Sequence, residues 1–229
     1  KRLRSETRHL LQFLTGSKGA VFIAVSHDIG SDGGINSSHP LQQRDAGLAT
    51  RKVPLTGTST FPLAGEELLE RTARTEVSRD GLPRRRDSQV FEDLRARTAS
   101  GDVSVPVLAL GTPRETTARL TFVTNLLGVA GIRPEVVEIT SPDEVATALE
   151  PTKGAPVAIL ASSKKGYESL AEATVAALRQ AGTGRVLVAG SASEVGDVAV
   201  DGDIRDGMDI VEFLDGLIDS LGAQAGATA

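Results

Sequence analysis

The chain has 229 residues, a formal net charge of −5 and no cysteine, which excludes disulfides, thiolate metal sites and cysteine nucleophiles and suits a reducing cytoplasm. The acidic balance argues against nucleic-acid and anionic-membrane partners, since both bind through excess lysine and arginine. Aromatic content of 3%, with Tyr167 the single tyrosine and no tryptophan, leaves little for stacking bases or sugars, and no apolar run approaches the roughly 20 residues that span a bilayer.

In chain order, the opening KRLRSETRHLLQFL is basic and amphipathic but lacks an initiating methionine and a small-residue cleavage site, and it reads as an interior cut. Composition changes near residue 100. Residues 1–100 mix charge clusters, Gly and Ser runs and the arginine block LPRRRD, a composition that rarely builds a compact core alone. Within them GAVFIAVS (Gly19 to Ser26) is expected as a strand and GEELLERTART (Gly65 to Thr75) as a helical turn or two. DSQVFEDLRARTAS (Asp87 to Ser100) is expected as a helix with Val90, Phe91 and Leu94 on one face and Asp87 or Ser88 as cap.

From Val103 the pattern is regular, and residues 101–229 are expected to form a separate domain. SVPVLAL is a continuously apolar, buried strand. The stretch RETTARLTFVTNLLGVAG is a helix with Ala118, Phe122, Val123, Leu126 and Leu127 inward, stopped by Gly131. RPEVVEI is a second strand. SPDEVATALE is a short helix with Ser141 at its N-cap, Pro142 at its first position and Asp143 and Glu144 in its first turn. APVAILAS, GYESLAEATVAALRQAG ended by Gly182, and GRVLVAG continue the alternation. DVAVDGD is expected as a short edge strand, and the final helix carries the stripe Ile210, Val211, Leu214, Leu217, Ile218 and Leu221. Strands separated by helices imply parallel βαβ crossovers, here an α/β, flavodoxin-like five-stranded sheet of order 2-1-3-4-5. That order gathers the loops GTPRET, SSKKG and GSASEVG at one sheet edge, where a ligand would sit.

The first of those loops has no phosphate-cradling glycine pattern, and Pro113 removes a backbone donor. Ser162, Ser163, Lys164 and Lys165 precede a helix and could meet an anion, as could Arg114, although such residues are also ordinary caps. Histidine occurs only at positions 9, 27 and 39, so residues after Pro40 contain no imidazole base or ligand. The acidic run Asp197 to Asp209 lacks the calcium-loop order and reads as a solvated edge. Lys1 to Arg8 and Arg84 to Arg86 read as linker or subunit-contact residues.

Several stretches together resemble the methylmalonyl-CoA mutase family, in particular its small (beta) subunit: LATRKVPLTGTSTFPLAGEELLER, VFEDLRART, GTPRETTARLTFVTNLLGVAGI and DGMDIVEFLDGLIDSLG, over residues 48 to 222. The resemblance implies that residues 1–100 hold an irregular remnant of the end of a TIM barrel plus linker, and that residues 101–229 form a cobalamin-binding-like domain. In cobalamin-binding members that domain carries D-x-H-x-x-G, S-x-L and G-G after its first, third and fourth strands, the histidine being the cobalt ligand. Here Gly111 precedes Thr112 at the aspartate, Arg114 at the histidine and Thr117 at the last glycine. Ser162, Ser163 and Lys164 stand for S-x-L, and Gly190 with Ser191 for the glycine pair.

All three motifs are broken, and a guanidinium offers cobalt no lone pair. What the resemblance implies is a non-catalytic chain that binds no cofactor or metal itself. Its partner in a heterodimer would be a large (alpha) subunit holding adenosylcobalamin and interconverting methylmalonyl-CoA and succinyl-CoA. The alternative expectation is a free-standing module that binds cobalamin base-on or a small anion at these loops.

Overall fold

A computed structural model describes residues 38–63, 86–99 and 103–225. The chain divides into two units, residues 1–39 and 40–229; of the first, only residues 38 and 39 are described, and they open helix α1 (Ser38–Ala49). The expected strand at 19–26 and the helical turns at 65–75 lie outside the described residues.

The second unit is built on a fully parallel five-stranded sheet of order β2-β1-β3-β4-β5. The strands are β1 (Ser104–Leu110), β2 (Arg133–Ile139), β3 (Val157–Ala161), β4 (Arg185–Ala189) and β5 (Gly202–Ile204). This is the flavodoxin-like arrangement expected from the alternation of apolar runs with amphipathic helices. Central β1 and β3 are buried almost throughout, as a sheet covered on both faces demands, whereas edge strand β2 is largely exposed.

Alternate residues of each strand feed two cores. On one face Val105, Val107, Ile159 and Leu187 pack under α3 (Pro113–Val129) and α6 (Ile210–Ala225). On the other, Leu108, Leu110, Leu160 and Val188 pack under α5 (Lys164–Gln180) together with Val145 and Leu149.

Positions differ from expectation at four places. In α3 the buried phase runs through Thr116, Val123, Leu126 and Leu127, so Ala118 is exposed and Phe122 half-buried. The helix begins one residue earlier than its apolar pattern suggests, because Pro113 supplies its first position. The segment after Ser141 is a 3-10 turn (Pro142–Glu144), a single α turn, α4 (Val145–Ala148), and a second 3-10 turn (Glu150–Thr152), as Pro151 cannot supply the N–H that would continue the α ladder. The last strand lies at 202–204 rather than 197–203, since Asp201 turns back to accept from Val186 N–H at 2.6 Å.

Helix α2 (Gln89–Thr98) forms where its spacing places it, with Phe91 and Leu94 buried. Of its two expected caps, Ser88 makes no cap bond: Ser88 Oγ donates instead to Glu92 Oε1 at 2.7 Å. Phe91, Leu94 and Leu48 of α1 join the same core as α3 and α6, so segments on the N-terminal side of residue 100 share the sheet domain's interior. Arg95 ties them down. Its guanidinium donates to the carbonyls of Gly128, Val129 and Leu63 at 3.0, 3.3 and 3.1 Å, satisfying the end of α3 where a cation is favoured. Pro62 lies on Gly128, where a β-carbon would fall 3.1 Å from Pro62 Cγ.

Candidate functional site

The carboxyl ends of β1, β3 and β4 are where an open α/β sheet ordinarily receives a ligand. Each helix start there is closed by its own residues. Glu115 accepts from Thr112 N–H at 3.0 Å and from Thr112 Oγ1 at 2.8 Å, which holds its carboxyl below the usual glutamate value, with Lys165 nearby adding to the effect. Ser191 N–H donates to Glu194 at 3.2 Å. A third instance follows β2, where Glu144 accepts from Thr140 and Ser141. The same spacing, Thr or Ser followed three residues later by Glu, thus recurs at three turns. Each time it fills orphan N–H groups that could otherwise meet an anion.

Beneath the first loop, Ser162 is fully buried and its hydroxyl donates to the carbonyl of Leu110, linking the ends of β3 and β1. It leaves no room at Gly166, where a β-carbon would stand 2.0 Å from Ser162 Oγ and 2.7 Å from Leu110 O. Tyr167 completes the seam: its phenol accepts from Ser162 N–H at 2.9 Å and lies 3.1 Å from Leu160 O and 2.7 Å from Ala189 O. Burial pushes the phenol well above its ordinary pKa, so it acts as a neutral hydrogen-bonding hub.

Over the end of β4 lies Arg119 of α3. Gly190 has φ +119°, and a β-carbon there would meet Arg119 Nη1 at 2.0 Å. Arg119 Nη2 reaches both oxygens of Glu194 at 3.1 Å.

The residues singled out from sequence divide accordingly. Gly111 (φ +105°), Thr112, Ser162, Gly190 and Ser191 sit at this edge and are engaged in local contacts. Ser163 caps α5 by accepting from Gly166 N–H at 3.3 Å. Arg114 and Thr117 are exposed, and Thr117 donates to Pro113 O at 2.5 Å. Lys164 lies 3.9 Å from Glu168. Among the described residues no group of three or more histidine, cysteine, aspartate or glutamate side chains could hold a metal, and no helix is long and apolar enough to cross a membrane. The acidic run is more structural than a solvated edge requires: Asp201 pairs with Arg179 at 2.5 Å, and Asp203 accepts from Ala192 N–H at 3.3 Å. Sequence reading missed Arg119, Gly166, Tyr167 and Glu194; of these only Glu194 carried a signal, the Ser-x-x-Glu spacing.

No protein-family model matches the chain. Curated relatives do. The chain is 37% identical over 186 residues to the methylmalonyl-CoA mutase small subunit of Streptomyces virginiae, covering 79% of this chain. It is 35% identical over 189 residues to the small subunit of Propionibacterium freudenreichii subsp. shermanii, again over 79%. Over that span the chain is homologous to methylmalonyl-CoA mutase small subunits. A probable methylmalonyl-CoA mutase small subunit of Mycobacterium bovis is 32% identical over 188 residues. The chain spans about 30% of the length of these mutase relatives and matches their C-terminal portion.

Proposed function

We propose that this chain is the C-terminal part of a mutase small subunit that supports a cofactor-bearing large subunit without holding the cofactor itself. The observation that carries the reading is the filled sheet edge. A corrinoid whose own base is displaced needs a protein nitrogen with a free lone pair on cobalt and an open slot for its nucleotide tail. Arg114 offers a protonated guanidinium and no lone pair. The positions that would make room are taken, at Gly190 by the Arg119–Glu194 pair and at Gly166 by Ser162. These residues do not fit the group.

In this reading the large subunit binds adenosylcobalamin and interconverts methylmalonyl-CoA and succinyl-CoA, and the present chain contributes association surface. The test is co-expression of the full-length small subunit with a large mutase subunit, followed by purification through a tag on the small one. Co-purification, with corrinoid retained only when the large subunit is present, is expected. Failure of the two to co-purify, or corrinoid carried by the small subunit alone, would contradict it.

A further inference from the structure

The segment that follows α1 is pinned along its length, yet it turns two large apolar side chains toward water. Its turn closes on itself: Leu55 O accepts from the N–H groups of Thr58, Ser59 and Thr60 at 3.1, 3.0 and 3.1 Å, and the hydroxyl of buried Ser59 accepts from Leu55 N–H at 3.0 Å. Past the turn, Pro62 lies on Gly128, and Leu63 O accepts from Arg95 at 3.1 Å. On this fixed backbone Phe61 is 73% exposed and Leu63 66%. Both ends of the segment are also strained. Among the described residues, Arg51 (φ +58°) and Phe61 (φ +52°) are the two that take the left-handed region without being glycine, a conformation that persists only where the surroundings impose it. Arg51 holds its guanidinium 5.1 Å over the Phe122 ring and leaves Nη2 buried with no hydrogen-bond partner. Apolar surface in water, left-handed backbone and an orphaned buried donor each cost stability, and Phe61 and Leu63 gain nothing from this arrangement while they face water.

We infer that Phe61 and Leu63 anchor the sheet domain to the polypeptide that precedes α1 in the full-length small subunit, seating in an apolar pocket of that portion; this rests on the reading above that the chain is the C-terminal part of such a subunit. Chain continuity selects the occupant. The match to the mutase small subunits covers about 30% of their length and falls in their C-terminal portion, so most of that subunit precedes it. That portion joins the sheet domain through the segment that carries these two side chains. A covalently tethered partner is present at high effective concentration whatever else assembles, and it reaches the exposed pair before a second subunit can. An aromatic ring supplies a large area to such a contact, and side chains on a backbone already fixed by the Leu55 turn, Pro62 and Arg95 lose less freedom on docking than a loose loop would.

The test exposes the wild-type full-length small subunit to hydroxyl radicals and reads oxidation of Phe61 and Leu63 by mass spectrometry, with and without a large mutase subunit. Both side chains are expected to react roughly tenfold more slowly in the folded small subunit alone than after urea unfolding, as an anchor closed off from water should. This arm needs no substitution. A second arm places a photo-crosslinker at the site, Phe61→p-benzoylphenylalanine, with isotope-mixed subunits to separate one polypeptide from two; adducts are expected on residues preceding α1 of the same polypeptide. Reaction at the unfolded rate, protection that requires the large subunit, or adducts on the large subunit, on a second copy or elsewhere in the sheet domain would overturn the inference. The function proposed above fails separately: subunits that do not co-purify would contradict it while a protected Phe61 stands, whereas a gene product no longer than this chain would overturn that reading and the inference together.

Discussion

Arg119 lies against the backbone of Gly190, so close that a β-carbon at that glycine would stand 2.0 Å from its Nη1. One long side chain from the helix after β1 thereby covers the turn after β4, and Glu194 holds it there at 3.1 Å. Both partners are about two-thirds to three-quarters buried, with side-chain exposures of 34% and 23%, so the pair is less screened than a surface ion pair. A double-mutant cycle with Arg119→Ala and Glu194→Ala is expected to give a coupling of about 1 kcal/mol in urea unfolding. A coupling indistinguishable from zero would mean that the contact does not hold the edge closed.

Tyr167→Phe tests the seam beneath it. The substitution keeps the ring in the core but leaves the buried Ser162 N–H without its acceptor and removes the donor near Leu160 O and Ala189 O. Stability should fall by about 1–3 kcal/mol. A change below about 0.5 kcal/mol would show that those groups find other partners.

Gly166→Ala places a methyl group against Ser162 Oγ and the Leu110 carbonyl. Alanine ordinarily stabilises a helix by about 1 kcal/mol relative to glycine, yet here overpacking against backbone should outweigh that and destabilise by about 1–3 kcal/mol. Adding Ser162→Ala should recover part of the loss, since it removes the nearer obstacle but not the carbonyl. Gly166→Ala proteins more stable than wild type in thermal melts would refute the packing.

Acid should loosen the same turns. Glu115 is held below its ordinary value of 4.5 first by Thr112 N–H and then by the Thr112 hydroxyl, and Glu144 first by the Thr140 hydroxyl and then by Thr140 N–H. For Asp201, burial pushes the carboxyl up, but the Val186 N–H and Arg179 outweigh it and the net shift is downward from 3.8. Groups depressed in the folded state stabilise it fully above their unfolded values and lose that contribution as pH falls through the folded ones. Melting temperature should therefore be flat from neutrality to about pH 5 and decline below it, with a shallower decline in Glu115→Gln. A steeper decline in that variant would reverse the sign of the linkage.

Much of this fold is written in local pattern. Val107 to Leu110 read as a buried strand because both sheet faces are covered, and Gly131 and Gly182 mark helix ends through their positive φ of 69° and 88°. Phase inside α3 was harder to read. Thr116 is buried and Ala118 exposed, because the Thr116 hydroxyl donates within the helix to Thr112 O at 3.3 Å and its methyl then behaves as an apolar group. The closing of the edge was not legible at all. Arg119 looks like any helix-surface arginine until the sheet order brings Gly190 beside it, 71 positions away in the chain, and a lone tyrosine does not announce which carbonyls it will reach.

The most direct measurement is titration of hydroxocobalamin into the full-length small subunit, followed by calorimetry and by the visible spectrum. No binding heat and an unchanged spectrum are expected, because the sheet edge is packed with Arg119, Glu194, Ser162 and Tyr167. Saturable binding, above all with a spectrum showing protein nitrogen on cobalt, would contradict it.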